Sequence, residues 1–346
     1  MFYIHQSSCI SAQQTFKDVD LDILHEAVEK KLVAIEPSYD SIPPGILRRM
    51  GKAVRMGVGA AMPLIQKENR PGGIIIGTAN SGKEDCVKFL NQLIEYNEGM
   101  LTPINFVQST PNAVAAQVGL LTKNHGYNIT HLQLGLSFEY AIIDAEMMLQ
   151  ENPGEKYLLG AVDDISIYNY YSEDKRGWYK KDDISNKILY ETNSPGSIPG
   201  EAAAMFMVSG NSAGAIAKLI ATDTLHSEDA SLVKEKLDHF LEINLPSQKP
   251  GLLLSGENGD NRLSKFYESV ESVLKNEVPV ARYKHMSGEY PTATAVGLWL
   301  CCNILQEGSI PSHMIKKQAG NDAIKTVLMY NNYKGIQHSF ILVSLP

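Results

Sequence analysis

The sequence predicts an α/β fold, and three observations lead there. Apolar runs of strand length alternate with amphipathic runs of helix length over most of the chain. Three of these units place a tight glycine turn between a strand and the next helix, around Gly135, Gly256 and Gly288. The 346 residues exceed what a single hydrophobic core usually organises, so two halves are expected. A loose strand-loop-helix rhythm shared by the halves permits internal duplication.

Each element follows from its own pattern. GGIIIGTA (72–79) reads as a buried strand, and GKEDCVKFLNQLIEY (82–96) as a helix with Val87, Leu90 and Ile94 on one apolar face. TPNAVAAQVGLLT (110–122) is a second helix with Pro111 near its first turn. NITHLQL is a strand, residues 138–150 a helix, and KYLLGAVDD (156–164) another strand. The polar stretch 172–197, rich in Asp, Lys and Asn, reads as an exposed loop or insertion. EAAAMFMVSG (201–210) and GAIAKLIATDT (214–224) are expected to pair as neighbouring strands. Residues 231–243 form a helix, PGLLLSG (250–256) a strand, and 263–274 the helix after it. TATAVGLWLCCNILQEG (292–308) is apolar all round, hence a buried helix. AIKTVLMYNN and HSFILVSL close the chain as a hairpin.

Charge narrows the function classes. The net charge is -8 with no block of Lys or Arg, which disfavours nucleic acid or an anionic membrane as the main partner. An acidic partner would have to use Lys30-Lys31, Arg48-Arg49 or Lys316-Lys317. No apolar run approaches membrane-spanning length, and the N-terminus lacks a signal-peptide pattern. Cys9, Cys86, Cys301 and Cys302 form no CxxC or metal spacing, so a reducing cytoplasm is the expected setting. Cys301 and Cys302 read as core thiols.

Taken in order, several segments resemble the β-ketoacyl synthases of the thiolase fold. SIPPGILRRMGKAVRMGVGAA, GIIIGT, TPINFVQSTPNAVAAQVGL, NITHLQLGLSFEYAIIDA, GAVDD, IPGEAAAMFMVSG, ARYKHMSGEYPTATAVGLW and LQEGSIP are each similar to a family segment, and they occur in the family's order. The resemblance implies a thiolase-like fold of two similar βαβαβαββ halves in a five-layered α-β-α-β-α sandwich. It divides the chain at 1–222 and 223–346.

Decarboxylating condensation in this family needs a thiolate at a helix N-terminus and two imidazoles that stabilise an enolate. By resemblance, the nucleophile position falls on Gly135 and the two histidine positions on Ser255 and Glu289. None of these residues can do the same chemistry, and a glutamate anion would repel the developing charge. No catalytic residue is therefore expected. The retained or pocket-lining candidates are Ser137, Lys284, Phe138, Asn258, Tyr333 and Gly335, with Lys284 and Glu289 expected to pair. Ser137 is a substitute nucleophile or, more plainly, a helix N-cap. His131, His285 and Gln133 lie near the site in sequence but off the catalytic positions, and Glu257 and Asp260 read as loop-stabilising carboxylates.

A chain of this kind resembles a chain-length-factor-type subunit in polyketide or fatty-acid biosynthesis, of the aryl-polyene or flexirubin-like kind. It implies an active ketosynthase subunit (or a second copy of itself) and an acyl carrier protein as partners. It implies no metal and no cofactor. The competing expectations are an acyltransferase or hydrolase rebuilt around Ser137, Lys284, His285 and Glu289, and a non-catalytic acyl-binding homodimer.

Overall fold

Strands form where the apolar runs fall. β1 (Phe2–Ile10), β2 (Gly73–Gly77), β3 (Tyr127–His131), β4 (Lys156–Asp163) and β5 (Ala202–Ser209) build the first half. β6 (Ala217–His226), β7 (Leu252–Ser255), β8 (Val280–Arg282), β9 (Ile315–Lys317), β10 (Thr326–Tyr333) and β11 (Gln337–Ser344) build the second. The computed structural model describes residues 1–65, 70–275, 277–319 and 323–346. Among them the strands run in one hydrogen-bonded order, β3-β2-β4-β5-β1-β6-β11-β10-β7-β8-β9. The first half reads 3-2-4-5-1 by order of appearance. Read inward from β8, the second half repeats that order, with β9 added at its edge.

The helices of the first half are α1 (Pro44–Leu47), α2 (Lys52–Ala61), α3 (Lys83–Glu95), α4 (Pro103–Gln108), α5 (Ala113–Thr122), α6 (Ser137–Glu151) and α7 (Ile167–Lys175). Those of the second are α8 (Ala230–Asn244), α9 (Ser264–Val273), α10 (Lys284–Ser287) and α11 (Thr294–Glu307). Alternation along the strands decides which helices they cover. Leu158 and Val162 of β4 pack with α2 and α5, whereas Tyr157, Leu159 and Ala161 face α6 and α11. On β10, Leu328 and Tyr330 pack with α8 and α9, while Val327 and Met329 face the same central helices. The layers are therefore α2/α5, half-sheet, α6/α11, half-sheet, α8/α9. α6 and α11 are apolar on most sides because sheets cover them on both.

Three sequence expectations change. β5 and β6 do not pair; β1 lies between them, and its Phe2–Ile10 run was not read as a strand. α3 stands outside the layers, touching α4 through Phe89 and Phe106 at 5.3 Å between ring centroids. Its apolar face is consequently exposed, with Leu90 50% and Ile94 79% accessible. The stretch 172–197 is no free loop: α7 runs into it, Tyr179 bridges Ser197, and Lys180, Asn186 and Leu189 are buried. The division at 222/223 falls inside β6.

Candidate functional site

The Gly135 turn joins β3 to α6. Backbone reversal is absorbed by Leu134, which takes a left-handed φ of 53°, a conformation uncommon for leucine. Gly135 itself has no positive φ, so the backbone does not require glycine there. Space does. A Cβ on Gly135 would lie 2.2 Å from Tyr333 Cβ and 2.3 Å from its Cγ. The Tyr333 side chain thus occupies the room that a side chain at 135 would need. Tyr333 is buried, and burial pushes its phenol well above the ordinary value. The Gly135 N–H donates to Gln337 Oε1 at 2.9 Å, tying the turn to the β10–β11 hairpin.

Ser137 is fully buried and committed to the turn. Its Oγ accepts the Gln133 N–H at 2.8 Å and donates to the Leu134 carbonyl at 2.8 Å. Ser137 is the first residue of α6 rather than its N-cap, and both of its hydroxyl bonds brace the turn itself.

The second and third loops converge beyond Tyr333. Gly288, with φ 73°, lets the chain press against Gly200, where a Cβ would meet the Ser287 carbonyl at 1.9 Å. Backbone bonds from Glu289 N to Ile198 O and from Gly200 N to Glu289 O hold Glu289 in place. Its Oε1 pairs with the fully buried Lys284 Nζ at 3.0 Å, and its Oε2 accepts from Asn258 Nδ2 at 2.7 Å. Ser255 is buried at the end of β7, its Oγ accepting the Glu257 N–H at 3.3 Å. Below the pair, Glu139 of α6 accepts from Ser339 Oγ at 2.8 Å. Burial pushes the Glu139 carboxyl up to about 7, against the lowering effect of the Ser339 hydroxyl. The buried Asp163 carboxylate accepts from the N–H groups of Ala79 and Asn80 and from the hydroxyls of Thr78 and Thr292.

Between these groups remains a cavity of about 30 Å³, bounded by Asn258, Glu289, Tyr290, Tyr333 and the 173–179 segment. That is room for a water molecule or two. Over it lies a lid. Lys334 of the hairpin pairs with Glu173, and Trp178 is covered by the Arg262 guanidinium at 4.4 Å and the Lys334 ammonium at 5.3 Å. Arg262 is held in turn by Asp260 and the Gly177 carbonyl. The arrangement offers an ion pair and amide hydrogen bonds.

The structure therefore brings Lys284, Asn258, Glu289 and Tyr333 together and sets Gly135 against Tyr333. It does not bring the others in. Phe138, expected as a pocket-lining candidate, is placed in the core, packed on Phe206 at 5.9 Å between centroids. Gly335 (φ 72°) serves the hairpin turn, its N–H bonded to Asn332 Oδ1. His131 binds Asp144, and His285 lies in a relay between Tyr190 and His313. The lid residues Glu173, Trp178 and Tyr179 were missed. Trp178 and Tyr179 within the otherwise polar stretch, close after Tyr170 and Tyr171, were the signal for it.

Comparisons with known proteins bear on this geometry. A family model described as "Beta-ketoacyl synthase, N-terminal domain" matches residues 25–237, more than half of the chain. No curated protein matches it by sequence. A crystal structure of a β-ketoacyl synthase from Burkholderia phymatum is similar over 100% of this chain and 99% of that one, with TM-score 0.80 and 14% identity. The ishigamide ketosynthase/chain length factor matches with TM-score 0.79 and 12% identity, covering 100% and 99%. A ketosynthase in complex with its chain length factor from Xenorhabdus doucetiae gives 0.79 and 12%, covering 100% and 98%.

Proposed function

This chain belongs to the β-ketoacyl synthase family, and from that premise we propose that it is a non-catalytic, chain-length-factor-type partner of an active ketosynthase. The observation that carries the reading is the contact between Gly135 and Tyr333: the place of a nucleophile is filled by a tyrosine ring. Ser255 and Glu289 stand where the family places its histidines, and Glu289 is already neutralised by Lys284. A cavity of about 30 Å³ has no room for an acyl thioester. Relatives of the same fold described as ketosynthase/chain-length-factor pairs and as a ketosynthase with an acyl-carrier protein support the choice of partners. The product class is polyketide or fatty-acid-like, of the aryl-polyene or flexirubin-like kind.

The partner face we assign is the edge of β3. It has no strand beyond it among the described residues, and Leu120, Leu132 and Leu134 beside it are 72%, 45% and 58% accessible. An unpaired edge with apolar flanks invites another chain. The repeated strand order favours two halves, which we place on either side of the connection between β5 and β6. The test is co-expression with a cysteine-bearing ketosynthase and an acyl carrier protein. A stable heterodimer that forms product only when both subunits are present supports the proposal. Turnover by this chain alone, lost in Ser137→Ala, refutes it in favour of a rebuilt enzyme. A strict homodimer that ignores every ketosynthase offered refutes it in favour of an acyl-binding module.

A further inference from the structure

A second, much larger cavity lies away from the closed site. Its volume is about 650 Å³, within the range of small-molecule sites. The fold creates it by splaying: β1 pairs with β5 as far as Ile10, but with β6 only over Phe2–Ile4. Beside the remaining β1 residues the sheet opens, and the C-terminal half of α11 forms the opposite wall. Helix α11 starts at Thr294, three residues after Pro291 of the closed site's wall, and Gln306 is twelve residues further on, about 18 Å along the axis. The two cavities are therefore separate.

The chemistry of the wall is specific. Phe16, Leu64, Ile216 and Trp299 make it mainly apolar. Trp299 is only 3% accessible and its side chain contributes to the cavity wall. Asn303 spends its amide N–H on the Trp299 carbonyl at 2.7 Å, leaving its Oδ1 as an acceptor on the cavity wall beside the Gln306 carboxamide. An indole beside two carboxamides gives a mainly apolar wall a few polar groups that can orient a bound molecule. Charge is balanced: Lys17 and Asp40 pair at 3.5 Å at the rim, and His5 is bound to Ser209 Oγ at 2.7 Å. Nothing there favours an anion or a cation.

We propose that this cavity binds an uncharged, mainly apolar small molecule carrying a neutral hydrogen-bonding group of the amide, amine or hydroxyl kind. The apolar body fills the space against Trp299 and Phe16, and its polar group meets the indole N–H and the Asn303 and Gln306 carboxamides. The inference stands independently of the partner role proposed above, because it uses none of the same residues.

The probe is N-phenyl-1-naphthylamine, an uncharged aromatic amine whose emission rises in apolar surroundings. The chain holds two tryptophans, so Trp178→Phe leaves Trp299 as the sole indole. In that protein the probe is expected to bind at one site per chain and to quench Trp299 by energy transfer. Ser7→Phe, which fills the cavity, is expected to weaken binding by about tenfold or more, while Ser272→Phe on the far face of α9 leaves it unchanged. Absence of transfer from Trp299, which needs no filled variant, overturns the inference. So does equal affinity in a Ser7→Phe protein whose circular dichroism is native.

Discussion

At the scale of single residues, the decisive fact is that Gly135 is small for a neighbour's sake. Its φ is ordinary, so Gly135→Ala carries no backbone penalty but drives a Cβ into Tyr333. The expected cost is about 1–3 kcal/mol, as for other overpacked cores, measured by urea unfolding. Tyr333→Gly in the same chain should recover part of that loss, giving a coupling of about 0.5–3 kcal/mol; purely additive effects would show that the two residues do not compete for space. The Lys284–Glu289 pair behaves differently, because breaking it strands a charge. Lys284→Met alone should cost about 3–5 kcal/mol, and most of this should return in Lys284→Met/Glu289→Gln, where the orphaned anion is removed. The placing of Gly135, Ser255 and Glu289 where the resemblance implies a nucleophile and two imidazoles came from residue identities, and so did the Lys284–Glu289 pair, which the structure contains. The Tyr333 contact was not, since the hairpin tip and the β3–α6 turn are almost two hundred residues apart and no local pattern links them.

At the scale of elements, α6 and the lid carry the testable consequences. Glu139 on α6 holds its proton to about 7 in the folded chain, against an ordinary 4.5. Its stabilising contribution is therefore complete below 4.5 and lost as pH rises through 7. Two buried histidines act in the opposite sense: burial lowers His285 to about 3 and His338 to about 4, from 6.5, so their contribution is full above 6.5 and lost on acidification. Glu139→Gln removes only the first effect. Its Tm relative to the parent should improve between about pH 5 and pH 7 and level off above that; a constant difference would contradict the assignment. For the lid, Trp178→Ala removes the ring under the Arg262 and Lys334 cations. Limited proteolysis between residues 176 and 197 should accelerate while the Tm moves little, because the layers do not depend on that ring. Strands and buried helices were readable from periodicity because each burial pattern repeats within its own element. The lid was misread because its anchors are scattered: one lysine, one asparagine and a few aromatics tie down a segment whose average composition is polar.

At the scale of the molecule, the repeated strand order explains why a site position can be closed without loss of the fold. Five layers are held by apolar alternation across both half-sheets, and Gly135, Ser255 and Glu289 lie at strand or turn ends outside those layers. The rhythm permitted a repeat and the resemblance implied one, whereas the continuity of both halves through β1 and β6 depends on long-range pairing that sequence spacing does not encode. The apolar β3 edge gives a further prediction: Leu120→Glu with Leu132→Glu should abolish co-purification with a ketosynthase while leaving the melting transition in place, since both side chains are exposed. Loss of binding only upon unfolding would place the interface elsewhere. The central claim, that this chain cannot itself hold an acyl group, is tested most directly by intact-protein mass spectrometry after incubation of the pair with an acyl carrier thioester. The account predicts an acyl-shifted mass on the ketosynthase and an unshifted mass on this chain, alone or partnered. An acyl adduct on this chain that disappears in Ser137→Ala would contradict it.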